Sequence, residues 1–276
     1  MMKKILITGS SGYIGSHLCK LLEDKKYEVF CLDLKDPLIE IKNFVNLDIR
    51  MPIGIDIEFD ALVHLAALVN VSESVYKPDN YYITNINGTI NVLQGIKTKN
   101  FIFASTGAAV GMSSPYGISK RAAEDCVQSY CRANNIDYTI FRFFNVIGGD
   151  VVEPTNPDGL FYNLKLAPKV GYFTIFGDDY KTKDGTCERD YVHVNEICNA
   201  ILDAIDIPSN SIEHLGHGVG HTVLEMVNLF KETNNVNFET KYGSRRPGDM
   251  ESSVLDNPSK YLRKIYQLQD LLKVDK

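Results

Sequence analysis

At 276 residues, with 44% hydrophobic and 23% charged side chains, the chain has the make-up of an ordinary globular protein, long enough for a large core and a smaller one beside it. A net charge of −6 excludes a general basic field for nucleic acid or an anionic membrane, so an anionic ligand must be met by local arginines or backbone amides. Six cysteines without a C-x-x-C pair argue against structural zinc or a disulfide framework, and no apolar run reaches the roughly 18 residues of a membrane span.

The opening MMKKILITGS runs straight into a strand without the regions of a secretory leader, so a cytoplasmic location is expected. KKILITG predicts a short strand, Tyr13 to Glu23 an amphipathic helix with Ile14, Leu18, Leu21 and Leu22 at helical spacing, and YEVFCLD a second strand. Further apolar runs at Phe44 to Leu47, Ala61 to Leu65, Phe101 to Ala104 and Tyr138 to Phe143 alternate with helices expected at Asn80 to Lys97 and Pro115 to Asn134. Strand alternating with helix implies an α/β fold, a Rossmann-like doubly wound parallel sheet. After Asn145 glycines and prolines break the alternation, so residues 1–147, with a returning segment near 190–207, are expected to form one domain and 148–276 mainly a smaller C-terminal, substrate-binding one. There, YFTIFG and RDYVHV read as strands, Val192 to Ala204 and Leu224 to Thr233 as helices, and the segment 243–249 as a polar, arginine-rich turn. His214, His217 and His221 surround the run GHGVGH, which reads as a solvated turn and not as a metal site.

Between the first strand and helix lies TGSSGYIG, with Gly9, Gly12 and Gly15 spaced three apart. Glycine there allows a tight turn and lets a pyrophosphate approach the backbone N–H groups at a helix N-terminus. Asp33 ends the next strand about 20 residues on, where a carboxylate suits a ribose 2′-hydroxyl and repels a 2′-phosphate, so NAD is favoured over NADP.

In SPYGISK, Ser114 can cap a helix and Pro115 start it, which puts Tyr116 and Lys120 on one face, four residues apart. A phenol titrates near 10, so its use as a base at pH 7 asks for about 4 kcal/mol, which one ammonium about 4 Å away supplies at an effective dielectric of about 20, with NAD+ and the helix dipole helping. Thr106, ending the FIFAS strand, is expected at the carboxyl edge of the sheet, where its hydroxyl can share a hydrogen bond with a substrate and Tyr116.

These residues, with ESVYKPDNYYITNINGT, RFFNVIG, IFGDDYKTKDGTCERDYVHV and RRPGD, resemble the extended short-chain dehydrogenase/reductase family, and within it the UDP-glucose (UDP-galactose) 4-epimerases, over nearly the whole chain. The resemblance implies a NAD site formed by Gly9, Gly12, Tyr13, Ile14, Gly15, Asp33, Asp48, Ile49, Leu65, Ala66, Ala67, Asn85, Tyr116, Lys120 and Phe144. It also implies a UDP-sugar site drawing on Thr106, Tyr116, Asn145, Asn163, Leu164, Thr174, Ile175, Phe176, Arg189, Arg246, Asp249 and Ser253, with the two arginines on the pyrophosphate and Asp249 on the uridine ribose. The implied reaction removes the 4-hydroxyl proton with Tyr116 while hydride passes to NAD+; the keto sugar, held by its UDP, turns over and is reduced on its other face. Ser253 matches a position beside the sugar's C2 substituent that is a bulky Tyr in members limited to plain hexoses, so N-acetylhexosamines are expected to fit as well. A homodimer through Asn80 to Lys97 and Pro115 to Asn134 is implied too.

Three departures from the family pattern stand out. Only ten positions separate Thr106 from Tyr116, so a covering loop is expected to be missing and the site more open. Val69 stands where many members carry a lysine near the NAD phosphates, and Phe143 where a Tyr meets nicotinamide. Gly107 and Ala108 replace the Asp-Glu pair of the related 4,6-dehydratases, which, with 4-keto reductases and a non-catalytic NAD-binding module, are the rival readings.

Overall fold

The computed structural model of the chain describes residues 2–154, 156–257 and 259–274. Its first strand, Lys4–Thr8, lies inside a seven-stranded parallel sheet in the order Ser211–Leu215, Asp137–Phe143, Asn100–Thr106, Ala61–His64, Lys4–Thr8, Glu28–Asp33 and Phe44–Asn46. Ile5, Leu6 and Ile7 are all buried, as a parallel strand covered on both faces requires. Ile5 and Ile7 face the helices Tyr13–Asp24 and Val194–Asp206, with Leu18, Leu22, Ile197 and Ile201. Leu6 faces the other way, toward Val92, Leu93, Ala123 and Val127 of Gly88–Gly95 and Pro115–Asn134.

The chain winds outward from Lys4–Thr8 through Glu28–Asp33 to Phe44–Asn46, then returns to place Ala61–His64 on the opposite side. Diverging connections at this reversal open a crevice above the carboxyl ends of the two central strands. Strand Glu188–His193 carries the crevice onward, pairing in parallel with Asn145–Ile147 and Ser252–Ser253 and antiparallel with Gly220–Thr222. A third apolar cluster, including Leu164, Ile175, Met226, Phe230 and Leu272, supports this C-terminal part. Among the described residues no helix is long and apolar enough to cross a membrane.

Two elements differ from expectation. The single helix expected over Asn80 to Lys97 is a short turn at Pro78–Tyr81, a π-helical stretch at Tyr82–Asn87, an α-helix at Gly88–Gly95 and then a strand, Ile96–Thr98. The wider π turn lets the buried Asn85 side chain reach sideways to Leu68 and Ser119. The histidine run is not a solvated turn: His214 belongs to the edge strand Ser211–Leu215, and His217 Nε2 lies 2.9 Å from the buried Glu196 carboxylate. An edge strand carrying Glu213 and His214 lacks the continuous apolar run by which the other parallel strands were recognised.

The glycine turn is one of the tightest contacts in this frame. A Cβ on Gly15 would stand 2.2 Å from Gly9 O and 2.8 Å from Ser10 Cα, both backbone atoms with no room to yield. Gly15→Ala is expected to destabilise by about 2 kcal/mol or more in chemical denaturation, whereas Gly54→Ala, whose Cβ would meet nothing within 4 Å, stays within about 0.5 kcal/mol of the parent.

Candidate active site

Gly9, at φ +74°, donates to Leu32 O at 2.9 Å and leaves its face against Ala66 N, which a Cβ would approach to 2.5 Å. Gly12 caps the helix Tyr13–Asp24 without a side-chain bond, so the free N–H groups of the first turn can serve an anion. Asp33 accepts N–H bonds from Ser11 and Lys35, each 3.0 Å, which hold its carboxylate at the lip of the turn. Leu65, Ala66 and Ala67 prolong Ala61–His64 past it, Leu65 donating to Thr8 O at 3.0 Å. The Ser10 hydroxyl is buried beside the turn with no partner among the described residues. A free helix terminus, an orphaned hydroxyl and a rim carboxylate fit a dinucleotide with an unmodified 2′-hydroxyl.

Other residues predicted to meet the cofactor have their side chains engaged within the protein. The Asp48 carboxylate is taken by Arg50, at 2.9 and 2.5 Å, and the Ile49 side chain is buried in the core below the sheet. Tyr13 donates its hydroxyl to Gly148 O, while Ile14 packs on the first core cluster. Asn85 accepts from Leu68 N–H at 2.8 Å and donates to Leu68 O and Ser119 Oγ, both at 3.0 Å, tying the crevice loop to the helix Pro115–Asn134.

That helix begins as the sequence predicts: Ser114 Oγ accepts the Gly117 N–H at 3.2 Å and Pro115 occupies the first turn. Tyr116 and Lys120 are 8% and 3% exposed, beside Thr106 at the end of its strand. Their electrostatics differ from the expectation of a phenol lowered by its lysine. Burial pushes Tyr116 up to about 12, and the influence that lowers it is a hydrogen bond with Thr106. Burial also brings Lys120 down to about 7, and its Nζ sits 4.1 Å over the Phe103 ring. Ionising the phenol at pH 7 therefore costs on the order of 7 kcal/mol, against about 4 for an exposed side chain, and a positive charge beside it would lower that cost.

A cavity of about 270 Å³ opens from Tyr116 toward the C-terminal part, lined by Thr106, Phe144, Asn145, Arg189, Arg246, Asp249 and Ser253 among others. Arg246 lies 4.0 Å over the Phe176 ring and donates to Asp158 O at 3.0 Å. Arg189 approaches Asp249 at 3.7 Å, and burial raises the Asp249 carboxyl against the pull of both arginines. Asn163 does not reach the cavity; it donates to Pro157 O and Gly159 O at 2.6 and 2.9 Å and so shapes the loop that does. Leu164 and Ile175 are in the C-terminal core, and Thr174 lies on the strand beside Phe176.

Sequence reading missed Cys187, Tyr191, Asp158 and Met250, which also line the cavity. Cys187 and Tyr191 alternate with Arg189, so the period of two along this strand was the available signal. The open site expected from the short Thr106–Tyr116 connection is partly covered from elsewhere. Met250 Sδ would stand 3.7 Å from a Cβ on Gly111, and one on Gly248 would meet Val71 at 3.4 Å and Ser114 at 3.9 Å, so the turn at 246–250 lies over the connection. Asn70 Nδ2 adds a 2.7 Å bond to Asp158 Oδ2 across the mouth. No group of three or more His, Cys, Asp or Glu among the described residues is arranged to hold a metal.

Residues 5–215 match the model of the NAD dependent epimerase/dehydratase family. The UDP-glucose 4-epimerase of Haemophilus influenzae is 32% identical over 91% of this chain and 89% of its own. The solved UDP-glucose 4-epimerase of Bifidobacterium longum, in complex with NAD+ and UDP, superposes with a TM-score of 0.85 at 25% identity, over 98% of this chain and 96% of that one. The UDP-Glc/GlcNAc 4-epimerase of Campylobacter jejuni gives 0.75 at 28% identity over 97% and 96%. A dinucleotide turn, a buried Tyr-Lys pair and an arginine-lined cavity thus agree with the kinship: the chain belongs to the NAD dependent epimerase/dehydratase family, and it resembles the UDP-glucose 4-epimerases over almost its whole length.

Proposed function

We propose that this protein is a NAD-dependent UDP-sugar 4-epimerase that interconverts UDP-glucose and UDP-galactose and also accepts UDP-N-acetylhexosamines. The observation that carries this reading is one cavity with Thr106 and Tyr116 on its inner wall, next to Lys120, and Arg189 and Arg246 on its outer one. Residues 1–147, with the returning segment, serve the cofactor, and 148–276 mainly the nucleotide sugar.

Bound NAD+ supplies a hydride acceptor and a positive charge. The protein's residues do the rest. Tyr116 takes the 4-hydroxyl proton and later returns it, with Thr106 orienting the phenol and Lys120 stabilising its anion. Arg189 and Arg246 grip the diphosphate as guanidinium forks, Asp249 accepts from the uridine ribose, and Asn145 lies between nucleotide and sugar. The same cavity wall includes Gly107, Ala108 and Met250, which offer few side-chain polar contacts to a sugar. A firm hold on UDP and a loose one on the hexose is what turnover within the pocket requires. Gly107 and Ala108 carry no carboxylate for eliminating water, which disfavours a dehydratase. We extend the reading to a cytoplasmic homodimer, supported by Ile83 and Ile118, exposed on the two helical segments expected to pair.

The test incubates the protein with each UDP-sugar and no added reductant. Interconversion is expected, falling by about 10²-fold or more in Tyr116→Phe; a stable 4-keto-6-deoxy product would overturn the reading. Ser253→Tyr should remove turnover of the N-acetyl pair while plain hexoses still react. Because burial raises Tyr116 to about 12, its phenolate absorbance, taken as parent minus Tyr116→Phe, should appear only in strong alkali without cofactor and move to lower pH once NAD+ is bound. An unmoved titration would show that the cofactor's charge does not act on this phenol.

A further inference from the structure

Behind the site, Glu124 is 0% exposed on the helix that carries Tyr116 and Lys120, one turn beyond Lys120. Two neighbouring strands reach it, and a third stands behind them. Ser105 Oγ donates to Glu124 Oε1 at 2.5 Å, and Arg142 donates from Nε to Oε1 at 2.8 Å and from Nη2 to Oε2 at 2.5 Å. His214 Nε2 lies 3.5 Å behind Arg142 Nη1. Ser105, Arg142 and His214 are register partners across their strands, each two residues past an apolar residue of the same face, Phe103, Ile140 and Ile212. The sheet face under this helix therefore turns from apolar to polar at one level, immediately behind Thr106 and Phe143.

An ion pair in such a place is no stronger than apolar side chains of equal volume and often weaker, so stability alone does not account for it. Its position supplies an account. Glu124 and Lys120 are four residues apart on one helix face, and a bidentate clamp from a strand fixes both the rotation of that helix and the place of the negative charge. We infer that Glu124, held by Ser105 and Arg142, is a positioning residue that aims Tyr116 and Lys120 into the site and sets a fixed negative charge one helical turn behind Lys120. The inference rests on the proposed reaction for its purpose, though not for its geometry.

The surrounding charges agree. Lys120 faces the Phe103 ring, Tyr116, His64 and, one turn on, Glu124, whose negative charge opposes the burial that strips its proton. His64 is kept neutral by burial and bonded to Thr8 and Thr89, so it adds no competing charge. On the far side Glu124 also meets Arg121 Nε at 4.0 Å, and burial together with Arg142 disfavours a second cation on His214.

The test uses Glu124→Gln and the apolar double variant Glu124→Leu with Arg142→Met, which removes both charges together and is built to fold. NMR titration of the Lys120 ε-methylene in the free protein is expected to move its midpoint about 1 pH unit lower in Glu124→Gln, which leaves Arg142 as an unpaired cation behind it, and by less in the double variant, where both charges are gone. In epimerisation assays kcat should fall about 10-fold or more while KM for the UDP-sugar changes less than about 2-fold. A folded Glu124→Gln variant with the parent's midpoint, or a folded double variant with the parent's kcat, would overturn the inference and leave the pair a packing device. The titration reads Lys120 whatever reaction the chain performs, so a protein that fails to epimerise would sink the proposed function and still decide this point.

Discussion

Everything in the site depends on the parallel pairing of Lys4–Thr8 with Glu28–Asp33 on one side and Ala61–His64 on the other. The strand is buried on both faces and cannot shift, and the chain leaves its two neighbours in opposite directions. The gap between those exits is where Gly9 passes Ala66 and where the first helix presents its unbonded N–H groups. Asp33 and Thr106 reach the same rim because they too end strands of this sheet.

Placing acid–base groups inside such a frame has an electrostatic consequence. The burial that shields Tyr116 and Lys120 from water penalises both of their charged forms, raising one and lowering the other. At neutral pH the buried tyrosine therefore stays protonated and the lysine gives up part of its charge, so a positive charge arriving beside the phenol would favour its anion.

The cavity belongs to neither half of the chain. Strand Glu188–His193 brings Arg189 alongside Asn145, and the turn at 246–250 comes back over the connection between Thr106 and Tyr116. The Asp158 loop, bonded to Asn70 and to Arg246, joins the two sides at the mouth. Where the local connection between Thr106 and Tyr116 is short, residues more than a hundred positions away lie over it.

How much of this was legible follows from the range of each signal. Most of the strand and helix order up to Phe143, the glycine turn with Asp33, and the cap, proline, tyrosine and lysine of the helix Pro115–Asn134 rest on contacts within a few residues, and the residues alone were enough to place them. Resemblance supplied Arg189, Arg246, Asp249 and Ser253, which the fold does gather around one cavity. It also named Leu164 and Ile175, which packing takes into the core, and Asn163 and Asn85, whose amides hold loops. Only the tertiary structure decided the π turn that aims Asn85, the edge strand bearing His214, the cover provided by Met250, and the clamp on Glu124. Those features arise from side chains far apart in the chain meeting at short range, and the balance of burial against charge at Tyr116 and Lys120 is set by neighbours that no spacing along the sequence records.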